Sequence, residues 1–165
     1  MPTHQPSLGQ ASPDQPGLDR PWLPLTAAQL GVYFLHQLRP GLPVCTTAEL
    51  ITLPAGIETD RLVAALQAAY RENEQLRVRL RTGATGPEQQ VTDVLPPVAI
   101  VEVADRAAAD DWIEHALATP FDLEAGEVVR TAILCVAGEP RWWLHATHHV
   151  GLDGSGFMRR EGRGG

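Results

Sequence analysis

The pattern that most restricts the fold lies near the end of the chain, where two β-like runs flank a short glycine- and proline-containing connection. The runs span 128–136 and 141–148, and residues 137–140 read Ala-Gly-Glu-Pro. Glycine and proline favour a turn here, so the runs are predicted to pair as a hairpin. A chain with this ending must contain a β-sheet.

Helical and strand-like patterns are intermixed upstream of this hairpin. Thr26 and Gln29 fit a capping box, which predicts where the first helix begins. The clearest helical stripe starts at Thr59 or Asp60 and extends through apolar residues to Leu80. The predicted elements are a helix over 26–38, a strand over 44–53, a helix from 59 or 60, strands over 89–94 and 98–103, and a helix over 105–117. This mixture predicts an α/β or α+β fold.

Composition narrows the class of protein and of partner. The chain has 165 residues and is 44% hydrophobic, which suffices for one domain with a core. Its formal charge of -7 would repel a phosphate backbone, so we expect no nucleic acid partner. Because no secretory or membrane-spanning pattern is present, we expect a cytoplasmic protein without membrane contact. Cys45 and Cys135 lie in apolar contexts and are expected to be structural thiols.

Three segments are predicted along the chain. Residues 1–24 contain six prolines among Gln, Ser and Gly, a composition typical of a flexible leader. Residues 25–158 are predicted to form one domain. Residues 159–165 are basic and glycine-rich with no core-forming side chains, and we expect them to be a truncated end.

Two adjacent histidines, His148 and His149, close the last predicted strand. Side chains alternate along a strand, so His148 shares a face with Leu144 and Ala146 and is expected to be held in the core by a hydrogen bond. His149 falls on the other face, with Trp143, His145 and Thr147, and is expected to open toward a cavity. Its imidazole could accept or position a proton near neutral pH. A surface histidine is the alternative for His149 considered alone.

The residues after the histidines suggest an anion-stabilising turn. Gly151 and Gly154 would allow a sharp turn, and a helix starting at Gly154 would present free N–H groups to developing negative charge. A metal site is the other possibility, with His145, His148, His149 and Asp153 as ligands. Alternation separates these histidines and no Cys or Glu completes the set, so we predict no metal.

Residues 148–154 read HHVGLDG, which fits the HHxxxDG signature of condensation domains from non-ribosomal peptide synthetases and of the wider chloramphenicol-acetyltransferase-like acyltransferases. Three other segments are similar to family motifs in the same order. They are LTAAQLGVY at 25–33, RENEQLRVRL at 71–80, which resembles the RHExLR motif but lacks its Arg-His pair, and PFDLEAG at 120–126. The resemblance implies an α/β lobe, described as an α+β sandwich, and specifically the N-terminal half of a two-lobed fold.

The resemblance also implies a chemistry, which is amide formation between a carrier-bound acyl or aminoacyl thioester and a carrier-bound amine. His149 matches the catalytic position and Gly154 the residue whose backbone lies beside the reacting centre. Asp153 matches a structural carboxylate that pairs with an arginine, here Arg77, and His148 completes the motif. No cofactor is expected to bind directly, since the phosphopantetheine arm belongs to the carrier proteins. Whether His149 acts as general base or as a positioning group stays open, and positioning with proton handling is favoured.

Two alternatives remain at this point. One is a non-catalytic remnant or a module that only docks carrier proteins. The other is a related ester-forming acyltransferase or epimerisation domain. In either case the expected partners include carrier proteins and the C-terminal lobe of the domain. Absence of that lobe would expose apolar surface, so we expect poor solubility of this chain alone.

Overall fold

The computed structural model describes residues 20–152 of the chain. Helices and strands alternate along it, as the sequence predicts. The strands are β1 (Leu23–Pro24), β2 (Thr46–Thr52), β3 (Val78–Gly83), β4 (Gly86–Val91), β5 (Val98–Glu102), β6 (Val129–Val136) and β7 (Glu139–His148). The helices are α1 (Ala27–Leu38), α2 (Thr59–Glu72), α3 (Arg106–Ala118) and α4 (His149–Leu152), with a short 3-10 helix at Glu74–Arg77.

The strands form two sheets. The smaller sheet has the order β1-β4-β3 and is antiparallel, and the larger has the order β2-β7-β6-β5. In the larger sheet β5 runs parallel to β6, with α3 as the connection between them, and the other pairs are antiparallel. This arrangement confirms the predicted α/β class.

The larger sheet is covered on both faces. On one face Ile133 and Trp143 pack into a core that includes Leu66 and Tyr70 of α2. On the other face Leu144 belongs to a second core that is completed by residues of α3. Burial of both faces explains why β6 is apolar almost throughout rather than alternating.

The predicted hairpin is present and tighter than expected. Val136 pairs directly with Glu139, which leaves only Ala137 and Gly138 in the turn. Both have positive φ, 53° for Ala137 and 78° for Gly138. Positive φ at both central residues is the geometry that matches the twist of paired strands. The first helix also begins as predicted, because Thr26 and Gln29 form the complete capping box.

The helical stripe predicted to reach Leu80 is wrong beyond residue 72. Asn73 is extended, and its backbone N–H and its side-chain amide both donate to the Ala69 carbonyl, at 3.2 and 2.7 Å. Leu80 lies instead in β3, 1% exposed, and its N–H donates to the Leu123 carbonyl at 2.9 Å. A four-residue spacing from Leu76 to Leu80 fits one face of a helix and one face of a strand equally well, so periodicity alone misassigned it.

Residues 20–24 pack against the smaller sheet rather than ending the predicted leader. Leu23 pairs with Gln89 of β4, and the Arg81 guanidinium lies over the Trp22 ring, 3.9 Å from its centroid. The Arg20 guanidinium also forms an ion pair with Glu74 at 2.6 Å. The ordered domain therefore begins before Leu25. Residues 1–19 and the predicted tail at 159–165 lie outside the described residues.

Within residues 20–152, no helix is both long enough and apolar enough to cross a membrane. The predicted cytoplasmic location stays a prediction. Both cysteines are free thiols, with Cys135 buried and Cys45 half-buried. Burial raises the pKa of each thiol above its usual value.

Candidate active site at the end of strand β7

The two motif histidines occupy opposite environments at the junction of β7 and α4. His148 is the last residue of β7 and is 1% exposed, whereas His149 opens α4 and its ring is exposed. The backbone N–H of His148 donates to the Val128 carbonyl at 2.9 Å, and that of His149 donates to the Cys45 carbonyl at 2.8 Å. The chain thus remains hydrogen-bonded to a neighbouring strand on each side while the two rings diverge.

The exposed ring of His149 is held by the edge strand β2. Its Nε2 lies 2.8 Å from the Thr47 hydroxyl. Thr47 is the register partner of Thr147, so the His149 ring reaches the side of the sheet that carries Trp143, His145 and Thr147. This is the side on which alternation predicts it. Thr47 has no counterpart in the sequence analysis, because strand pairing between residues this far apart leaves no local signal.

The middle of that same face is closed, contrary to the expectation of an open polar surface. The His145 ring stacks on Tyr70 of α2, with 6.1 Å between centroids, and its Nδ1 lies 3.3 Å from the Tyr70 hydroxyl. Burial lowers the pKa of His145, and Glu49 acts against that shift. Trp143 Nε1 donates to Thr131 Oγ1 at 2.8 Å. Only the end of the sheet, where His149 lies, remains accessible.

His148 is held as a neutral imidazole in the core. Its Nδ1 accepts a hydrogen bond from the Val150 N–H at 3.2 Å, so the neutral ring carries its proton on Nε2. That Nε2 is buried without a partner among the described residues. Burial, followed by the neighbouring His36 and His149, lowers the pKa of His148 to about 4. The ring is therefore uncharged at neutral pH and unsuited to exchange protons with substrate.

Arg77 ties the end of α2 to the segment after β4. Its buried guanidinium donates to the carbonyls of Tyr70 and Arg71, each at 3.0 Å, and to the carbonyl of Thr92. Asp93 Oδ1 lies 3.6 Å from Nη1. The predicted partner Asp153 lies outside the described residues, as do Gly154 and the helix predicted to start there. Arg77 is thus placed with backbone carbonyls, and its pairing with Asp153 stays a prediction.

Gly151 serves close packing rather than a sharp turn. It lies within α4 and does not have the left-handed backbone that a glycine turn would require. A Cβ at this position would come within 3.1 Å of the Gln75 carbonyl oxygen and 3.6 Å of Val128 Cβ. The expectation of a turn at Gly151 is therefore wrong, and the glycine allows α4 to approach the 3-10 helix.

Helix α1 anchors α4 from the other side. The buried Gln29 amide donates to the Val150 carbonyl at 3.2 Å and exchanges two hydrogen bonds with Gln89, at 3.0 and 2.9 Å. Beside this contact is a cleft of about 320 Å³ between α1 and residues 120–124, lined in part by Tyr33, His36 and Asp122. Burial lowers the pKa of His36, and the Asp122 carboxylate acts against that shift.

Among residues 20–152, no group of three or more His, Cys, Asp or Glu side chains is arranged to hold a metal ion. The chemistry that the described site can supply is therefore that of its side chains. It offers one solvent-accessible imidazole, oriented by a hydroxyl and carried on a backbone that is anchored by strands on both sides.

Comparison with known proteins assigns this architecture to a family. The family model described as "Condensation domain" matches residues 20–158. The chain is 31% identical over 165 residues to phosphinothricin tripeptide synthetase PhsC of Streptomyces viridochromogenes, covering 94% of the chain and 15% of that protein. It is 30% identical over 140 residues to a dimodular nonribosomal peptide synthase of Bacillus subtilis, covering 81% of the chain and 6% of that protein.

Solved structures give the same result for the fold. The starter condensation domain of rhizomide synthetase RzmA superposes with a TM-score of 0.71 at 25% identity, covering 79% of this chain and 33% of that one. The first condensation domain of the calcium-dependent antibiotic synthetase gives a TM-score of 0.67 at 19% identity, over 78% of this chain and 34% of that one. This chain therefore spans about a third of a solved condensation domain.

Proposed function

This chain belongs to the condensation-domain family, and from that premise we propose that it supplies the His149-bearing part of an amide-forming active site. The proposed substrates are an acyl or aminoacyl thioester on one carrier protein and an amine on a second. The phosphopantetheine arms that present them belong to the carriers. The observation that carries the proposal is the exposed His149 ring at the end of β7, beside a histidine that is buried and neutral.

In the proposed reaction the amine nitrogen attacks the thioester carbonyl carbon, so a C–N bond forms and the C–S bond breaks. The leaving thiolate takes up a proton as the thiol of the donor arm, and the amine loses one. A thioester is already activated, which leaves orientation of the amine and handling of its proton as the main tasks. We assign both tasks to the His149 imidazole. Gly154, with its backbone beside the reacting centre, is part of the same proposal.

The supporting residues act through His149. His148 stays neutral and anchors the strand end, because its ring is buried and accepts from Val150. Gln29 and Gly151 set the position of α4 through close contacts with Val150 and Gln75. In our proposal Arg77 pairs with Asp153 to hold the segment after α4. Its carbonyl contacts already fix the guanidinium where such a carboxylate would meet it with donors to spare.

The proposed activity requires the remainder of a condensation domain, since this chain spans about a third of the solved domains it matches. The test is complementation with a separately expressed C-terminal lobe, loaded donor and acceptor carrier proteins, and detection of the amide by mass spectrometry. His149→Ala should abolish most of the product. His115→Ala, at an exposed histidine in the last turn of α3, is the matched control and should not reduce it. Equal product from wild type and His149→Ala would remove His149 from the mechanism.

A non-catalytic docking module is the second candidate, and one observation favours it. Helix α1 presents large apolar side chains to solvent, with Phe34 53% and Leu38 75% exposed. Titration of a labelled holo-carrier protein against the chain separates the candidates. Saturable binding with no amide formed after complementation supports docking alone. Replacement of the amine acceptor by an alcohol, or an assay for loss of an α-proton, tests the ester-forming and epimerising relatives.

A further inference from the structure

His149 is held at two points by the start of β2. Its backbone N–H donates to the Cys45 carbonyl, and its ring Nε2 lies against the Thr47 hydroxyl, each at 2.8 Å. Within residues 20–152, Thr47 is the only residue that contacts a ring nitrogen of His149 through a hydrogen bond. The backbone contact fixes where the side chain originates, and the hydroxyl contact fixes where the ring points.

We propose that Thr47 is the positioning residue that sets the orientation of the His149 imidazole for reaction. This inference rests on the proposed function of His149. An exposed imidazole otherwise samples several orientations about its two side-chain torsions. A hydrogen bond at Nε2 selects one of them and directs Nδ1 away from Thr47, toward the open end of the sheet. The reacting amine is then met by one defined nitrogen rather than by a rotating ring.

A hydroxyl suits this position because it can both donate and accept. A neutral imidazole has one donor and one acceptor nitrogen, whereas the imidazolium has two donors. Thr47 can accept from a protonated Nε2 both before and after Nδ1 gains a proton. The ring then needs no rotation during proton transfer, and a group that is already oriented costs no reorganisation at that step.

The strand register decides which side chain holds the ring. Thr46 pairs with His148, Thr47 with Thr147 and Ala48 with Ala146. A slip of one residue would turn Thr47 to the opposite face and bring Thr46 or Ala48 to its place. Thr46 lies on the His148 face, and its hydroxyl is buried without a partner among the described residues. Two adjacent threonines therefore differ in role, and Thr46 provides a control for Thr47.

The test compares Thr47→Val, which removes the hydroxyl but keeps the shape, with Thr47→Ser, which retains it, and with Thr46→Val. Imidazole ¹⁵N spectra of the full chain report directly on the two ring nitrogens of His149. We expect Thr47→Val to shift those signals, and the other two variants to leave them close to wild type. In the complemented reaction, Thr47→Val should lower kcat by about tenfold with little change in KM, because an orienting hydrogen bond is lost without loss of substrate contacts.

The possible results separate this inference from the proposed function. Unchanged His149 ring signals in Thr47→Val would overturn the inference, whatever the activity. Shifted signals with an unchanged kcat would also overturn it, because the contact would then exist without a positioning role. Full activity of His149→Ala would instead remove the proposed function, a result that is independent of the ring spectra. Rescue of kcat by Thr47→Ser supports the inference.

Discussion

The ring of His148 packs edge to face against the ring of His36, with 5.0 Å between centroids and an interplanar angle of 84°. Phe121 meets His148 in the same manner, with 5.9 Å between centroids. Through these contacts, α1 and the segment before β6 enclose the residue directly preceding His149. The orientation of an exposed ring at the site thus depends on a buried ring beside it.

Acidification should destabilise the fold through His148. Its pKa is lowered to about 4 in the folded chain, against about 6.5 when unfolded, so the unfolded state binds more protons between these values. The stabilising contribution is complete above pH 6.5 and is lost as the pH falls toward 4. We expect the free energy of unfolding to be about 2 kcal/mol lower at pH 5 than at pH 7 on this account. The lowered pKa of His36 acts in the same direction.

Urea denaturation of wild type and His148→Gln at both pH values measures this effect. The glutamine keeps an acceptor for the Val150 N–H but cannot be protonated. Its unfolding free energy should therefore change less between pH 7 and pH 5. An identical pH dependence in the two proteins would show that His148 is not the group responsible.

Replacement of Arg77 by Lys should destabilise the fold although the charge is kept. A lysine cannot reproduce three divergent donors, so the carbonyls of Tyr70, Arg71 and Thr92 lose their buried partner. We expect a loss of about 2–4 kcal/mol in chemical denaturation. Arg81→Lys is the control, because Arg81 forms an exposed ion pair with Glu88 at 2.9 Å and should change stability by less than about 0.5 kcal/mol. Equal effects at the two positions would contradict the anchoring role of Arg77.

Two glycine-to-alanine changes should act in opposite directions. Gly151→Ala places a methyl group 3.1 Å from the Gln75 carbonyl oxygen and should cost about 1–3 kcal/mol as α4 is displaced. Gly31→Ala adds a methyl with nothing within 4 Å in the interior of α1, and should stabilise the chain by about 0.5–1 kcal/mol. Thermal denaturation gives both signs. A stabilising Gly151→Ala would show that α4 does not depend on this close approach.

The exposed side of α1 should promote self-association. Phe34, Leu35, Leu38 and the following Leu42 are all exposed and lie near one another in sequence. Leu38→Gln should shift the chain toward monomer in sedimentation velocity at equal concentration, with little change in thermal stability. Ile100→Gln, at a 58% exposed position on β5, is the control for a general gain in polarity. If both substitutions have the same effect, α1 is not the associating surface.

Local patterns predicted much of the secondary structure. The capping box at Thr26 and Gln29 and the cap at Asp105 act within a single helical turn, so neighbouring residues suffice to place α1 and α3. Alternation along β7 likewise separates His148 from His149. The failure at Leu80 has the same origin, since a spacing of four residues does not distinguish a helix from a strand when tertiary pairing determines the outcome.

The sequence by itself therefore determined the family, the mixed helix and strand class, and the opposed environments of the two motif histidines. The tertiary structure alone decided that Tyr70 closes the face around His145, that Gly151 meets Gln75, and that Thr47 holds His149. The physical reason is the range of the interactions. Caps and side-chain alternation depend on residues a few positions apart, whereas these contacts depend on which distant segments pack together and in which register.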